Sequence, residues 1–208
     1  MMSQLVKLSK ANVLGAANGI MFMTFFGALW SSIGIVGSHQ LGAPWPLMLS
    51  AIVTLILLSG AISLFVKSRS IRHTVTPEEK EDTKQLNRKF GLIFGLEGVA
   101  IFLASVICQS LDHFELFFPI MAMIVGIHFF PLASLFREKF YYGTGGVLCL
   151  LGIISLNIPI DGTFGHVSLV PRSIFIGFGS SVTLWATGLR IWMMLRHKQK
   201  QAPHSHQH

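Results

Sequence analysis

The chain has 208 residues, of which 51% are hydrophobic and 12% charged, with a mean hydropathy of +0.61 and a formal net charge of +7. Soluble domains carry about twice that charged fraction, and their apolar residues recur at helix or strand period, whereas here they come in long runs. An ordinary water-soluble domain is thereby excluded, and lipid is the expected solvent.

Six runs, at residues 11–36, 45–66, 90–109, 116–136, 142–158 and 170–195, approach or exceed the roughly 20 helical residues that cross a hydrocarbon core of about 30 Å. Helices are required because lipid-facing amides must be satisfied within their own segment, and nothing alternates as barrel strands do. The fold expected is all-α: a polytopic membrane bundle of six transmembrane helices over residues 1–200, with a charged loop at 67–89 and a disordered, histidine-containing tail at 201–208. The first run outlasts the roughly 7 to 15 apolar residues of a signal peptide and is read as a span. Fifteen of the sixteen Lys and Arg fall on one side of this arrangement and Arg172 alone on the other. By the positive-inside rule both termini are cytoplasmic, and the basic charge reports topology and implies no nucleic acid.

Taken in order, span 1 carries Asn18 among small residues, with Gly15 and Gly19 spaced for close helix approach. Asn18 reads equally as interhelical glue and as part of a buried polar site. The turn from Gly37 to Pro46 ends in an interfacial Trp45, and span 2 is apolar scaffold. In the soluble segment, Thr76, Pro77 and Glu79 form a capping-box start for a helix that runs into span 3. The basic residues beside the membrane face water or anionic lipid.

Span 3 places Gly91, Gly95 and Gly98 on one expected packing face, with Glu97 about 100° round from Gly98 and directed into the bundle. An ionised carboxylate there costs a few kcal/mol or more if unpaired, so it needs a partner or a proton. Span 4 supplies a partner in Gly126-Ile127-His128-Phe129-Phe130-Pro131. Counting inward from Lys89 and Arg137, Glu97 and His128 both fall roughly 12 to 14 Å deep, and counting from Lys10 brings Asn18 to the same level. Pro131 cannot donate to the carbonyl of Ile127, which predicts a kink beside His128.

A Glu and a His in low dielectric share one proton between a charged and a neutral form of the pair, so they hold or pass a proton. The blander alternative is a hydrogen bond that only fixes spans 3 and 4. Two ligands on separate helices, with no HExxH, do not make a metal site, and no cofactor is expected. Span 5 offers Gly145, Gly146 and Gly152 for packing, and Asn157 and Pro159 mark its outer end. Span 6 is the most polar, with Ser180, Ser181, Thr183, Thr187 and Arg190; the arginine either snorkels to the cytoplasmic edge or turns inward toward Glu97. Cys108 and Cys149 read as small buried apolar residues. Outer-loop His39, His113 and His166, beside Asp112, Glu115 and Asp161, read as solvated loop residues, with a metal or pH-sensing patch as the alternative. Terminal His204, His206 and His208 read as a disordered end.

The stretch Gly126-Ile127-His128-Phe129-Phe130-Pro131-Leu132, followed by Phe136-Arg137-Glu138-Lys139, resembles uncharacterised small bacterial multi-pass inner-membrane proteins that carry G-x-H-x-x-P before a basic turn. The resemblance implies a bacterial inner-membrane setting and emphasis on Gly126, His128 and Pro131, and it brings no activity with it.

Three function classes fit the residues. A proton-coupled or small-solute transporter uses the polar level inside a glycine-rich bundle, with the bilayer and a solute or protons as partners. A non-catalytic accessory or pH-sensing membrane protein uses the same pair as glue or switch. A lipid-active membrane enzyme needs a nucleophile near His128 that the sequence does not reveal.

Overall fold

A computed structural model describes residues 10–38, 44–70, 77–164 and 167–201. Thr76, His39, His166 and the histidines of the C-terminal tail lie outside the described residues. Six helices follow one another: α1 (Lys10–Gly37), α2 (Trp45–Ser70), α3 (Pro77–Ser110), α4 (Phe117–Phe136), α5 (Phe140–Ser155) and α6 (Pro171–Gln201). A 3-10 turn, Phe114–Leu116, leads into α4. Among the described residues, five segments are long and apolar enough to cross a membrane, namely Val13–Gly37, Trp45–Val66, Thr83–Ser110, Phe114–Phe136 and Pro171–His197. The chain is thus a multi-pass helical membrane bundle. α5, with 16 residues, is the shorter exception; at 1.5 Å per residue it reaches about 24 Å, less than a full hydrocarbon core.

The outward faces are those of a chain in lipid. Leu47, Leu55, Leu92, Leu96, Phe102 and Val106 are all exposed, which water would penalise and acyl chains do not. The interior is built from small residues. α1 and α6 run antiparallel along the longest seam, where Gly177 meets the backbone of Gly34 and Trp30, and Gly27 receives the indole of Trp185. α2 packs on α1, and its Gly60 receives the indole of Trp192. α4 and α5 form a second close pair: a Cβ on Gly126 would lie 2.8 Å from the carbonyl oxygen of Gly145, and one on Gly152 would lie 2.8 Å from that of Pro119. Thr187 donates to the Thr183 carbonyl at 2.8 Å, leaving Thr144 to donate to Thr187 at 2.9 Å and tie α5 to α6. Ala17, Ile20, Ala122, Phe129, Leu148 and Leu184 fill the space between these seams.

Successive helices alternate in direction, as shown by Phe90 meeting Phe136 and Arg190 meeting Phe140. Arg88, Lys89, Arg137, Lys139, Arg190 and Arg196 therefore gather at one end of the bundle, the basic end, and Arg172 lies at the other. There Arg172 donates to the carbonyls of Ile158 and Leu156 at 3.1 and 3.3 Å, satisfying acceptors just past the end of α5.

One boundary follows expectation and two differ. α3 starts at Pro77 and continues unbroken to Ser110, as the helix-start residues imply, so the charged segment and the third span share one rod. α5 stops at Ser155, short of residue 158. The connection to α6 is not wholly irregular either: Gly162–Phe164 pairs antiparallel with Val167–Leu169, a small ribbon in which Thr163, Phe164 and Val167 favour β structure. Its end is anchored where Val170 N–H donates to the Gly37 carbonyl at 3.1 Å.

The glycine face of α3 is a correction. Gly91, Gly95 and Gly98 face open space, as do Gly15 and Gly146. Small-residue spacing permits close approach but does not supply a partner. α3 leans on α4 through a different stripe, that of Ile93, Glu97, Ala100, Ala104 and Cys108.

Candidate functional site: a Glu97–His128 pair beside an apolar cavity

The stripe by which α3 leans on α4 recurs every three to four residues, and Glu97 occupies its middle. α4 crosses it in the opposite sense, packing on α5 through Pro119, Ala122, Gly126, Phe129 and Ala133. That leaves Met121, Val125 and His128 on the side toward α3. The helices thus bring Nδ1 of His128 to 3.1 Å from Oε1 of Glu97, with side-chain exposures of 13% and 8%. It is an ion-pair distance without hydrogen-bond alignment: the carboxylate oxygen lies off the ring N–H axis, and both imidazole nitrogens are buried without a hydrogen-bond partner among the described residues. Such alignment is what a purely structural bond supplies.

Glu97 also faces a cavity of about 260 Å³ between α1, α3 and α4. Its wall is otherwise apolar, with Phe26, Trp30 and Ile33 from α1, Phe94 and Ile101 from α3, and Met121 and Val125 from α4. A cluster of phenylalanines lies on its basic side. Phe22 meets Phe90 and Phe94 edge-on at 5.9 and 5.7 Å, Phe26 meets Phe94 at 6.2 Å, and Phe90 meets Phe136 at 6.1 Å. These rings are the main contact between α1 and α3, whose backbones do not close-pack. Sequence reasoning missed this cluster, although Phe22/Phe26 and Phe90/Phe94 each stand four apart on one helix face.

The other residues read as part of the polar level lie elsewhere. Asn18 is exposed on α1, one turn before Phe22, and so sits at the level of the residues preceding Phe90, well toward the basic end from Glu97. Counting from Lys10 fails because α1 begins farther from the membrane core than the charged edge of α3 does. Arg190 is exposed as well, with its guanidinium carbon 5.5 Å from the Phe140 ring centroid. It takes the snorkelling position and does not approach Glu97. Gly126 serves the α4–α5 contact, where a Cβ would collide with Cys149. Pro131 lies inside α4 on its exposed side with Ile127, so the carbonyl it leaves without an amide partner opens on that side and not into the cavity.

At the opposite end, Nδ1 of the exposed His113 lies 2.8 Å from Glu115. Cys108 is buried and Cys149 half-buried; both are free, and the Cys149 thiol donates to the Met123 carbonyl at 3.7 Å.

A model of a family of unknown function (DUF7010) matches residues 6–186. The chain belongs to that family. No curated protein and no solved structure matches it. The DUF7010 region ends within α6, so Glu97, His128, the cavity wall and the phenylalanine cluster all fall inside it, whereas Arg190 and Arg196 fall beyond it. Chemically, this DUF7010 site can hold a proton between carboxylate and imidazole and present either form to whatever occupies the cavity.

Proposed function

We propose that this DUF7010 protein is a small proton-coupled transporter of a bacterial inner membrane, oriented with both termini in the cytoplasm. The observation that carries the reading is the 3.1 Å approach of His128 to Glu97, which itself lines a cavity between α1, α3 and α4. Ionisable residues inside a membrane bundle are costly and mark ion or substrate pathways. Two further facts support it. Nε2 of His128 is buried without a hydrogen-bond partner among the described residues, which leaves one imidazole nitrogen uncommitted while Nδ1 faces Glu97. The phenylalanine cluster lies between the cavity and the basic end, where a transporter needs a barrier. Glu97 is also the polar group set against His128, in place of a hydroxyl or thiol nucleophile, which favours transport over lipid chemistry.

The test is proton uptake into liposomes containing the purified protein, driven by an imposed pH gradient. The parent is expected to show flux, and Glu97→Gln and His128→Ala to reduce it at least tenfold while remaining folded. Absence of flux in the parent, or equal flux in both variants, removes the transporter reading; lost stability or partner binding at unchanged flux instead identifies an accessory or sensor protein.

A further inference from the structure

We infer that the α1–α3–α4 cavity binds a lipophilic cation, a molecule of single-ring size with a tertiary or quaternary ammonium head, which replaces the proton of the Glu97–His128 pair. The inference rests on the cavity being the transporter's substrate site and names the class of its substrate.

The wall fixes the charge of the occupant. Glu97 is the carboxylate, and the residues facing it from α1 are Phe26, Trp30 and Ile33, none ionisable. From α4 the ionisable neighbour is His128, with Met121 and Val125 apolar. No Lys or Arg lines the cavity, so an anion entering would meet an uncompensated negative charge, whereas a cation would supply the charge that a protonated pair otherwise provides. The wall also fixes the body of the occupant. Phe26, Trp30 and Phe94 line the cavity together with Glu97, and aromatic rings favour an ammonium group stripped of water. Ordinary metal cations lack the oxygen ligands that they require here. A volume of about 260 Å³ suits one ring and a small head group.

The route of entry agrees with a lipophilic molecule. α1 and α3 meet through side chains, and the wall residues Leu29 and Phe94 and the adjacent Gly98 are all exposed at the bundle surface. The cavity therefore opens sideways, toward acyl chains, between two helices that can part. The exchange balances in charge and protons: the cation enters as the pair gives up one proton, leaving a Glu97 carboxylate beside a neutral His128. Affinity must then rise with pH by up to tenfold per unit over the range in which the pair is protonated.

The experiment is equilibrium binding of radiolabelled benzyltrimethylammonium to the full-length protein in detergent, with neopentylbenzene, its neutral carbon isostere, as competitor. Saturable binding is expected, with one proton released per cation and affinity rising with pH. Glu97→Gln is expected to weaken binding at least tenfold. Trp30→Leu, which keeps the side chain apolar and removes the aromatic ring, is expected to weaken it about three- to tenfold. Neopentylbenzene in excess should compete poorly. No saturable binding, equal affinity in Glu97→Gln, or equal competition by the neutral isostere overturns the cation assignment. If any of these occurs while proton flux still depends on Glu97, the substrate class fails and the transporter reading stands; if flux also fails, both fall.

Discussion

A carboxylate at the centre of a membrane helix costs about 3 kcal/mol on insertion scales when it is charged and alone, and Glu97 is not alone. His128 lies at 3.1 Å, and both side chains are largely buried. Glycines show the same dependence on surroundings at the residue scale. A Cβ on Gly145 would lie 2.5 Å from the Gly126 carbonyl oxygen, and rigid helix backbone cannot yield. Gly145→Ala is therefore expected to destabilise by about 1–3 kcal/mol. Gly95, with open space where its side chain would be, behaves oppositely: Gly95→Ala is expected to be neutral or to stabilise by up to about 1 kcal/mol through helix propensity. Thermal unfolding of the two variants in detergent checks both signs, and equal shifts would mean that the α4–α5 contact is not tight.

At the scale of elements, α3 stands apart. It touches α4 along one stripe and α1 mainly through rings, while its glycine face is open. Edge-on aromatic pairs contribute about 0.5–1.5 kcal/mol each beyond the area they bury. Phe90 touches Phe22, Phe94 and Phe136 on the basic side of the cavity and does not line it. Phe90→Ala is expected to raise passive proton leak in liposomes several-fold without weakening cation binding; leak equal to that of the parent would show that the rings are packing and not a barrier. The existence of α3 was legible in the sequence, down to its continuity from Pro77, because hydrophobic run length and helix-start chemistry are local. Its packed face was not. Two helical stripes, one of glycines and one through Glu97, competed for the same role, and only the position of α4 chose between them.

For the whole molecule, the alternating helices collect Arg88, Lys89, Arg137, Lys139, Arg190 and Arg196 at one end. If that end is cytoplasmic, as proposed, trypsin should cut between residues 80 and 89 in inverted membrane vesicles and spare that segment in right-side-out ones. Cleavage in the right-side-out vesicles would reverse the orientation.

By itself the sequence determined that this is a helical membrane protein, where its helices run, and that Glu97 and His128 come to one depth. Those properties follow from run length and from charges at the ends of runs, which every helix in lipid must obey separately. Tertiary structure decided the rest: that the pair meets, that Asn18 and Arg190 stay outside it, and that a cavity with phenylalanines on its basic side lies alongside. Rotation of a helix about its axis and its axial register against a neighbour are set by contacts between chain segments some 70 residues apart, such as Phe22 with Phe90, and no local pattern encodes them.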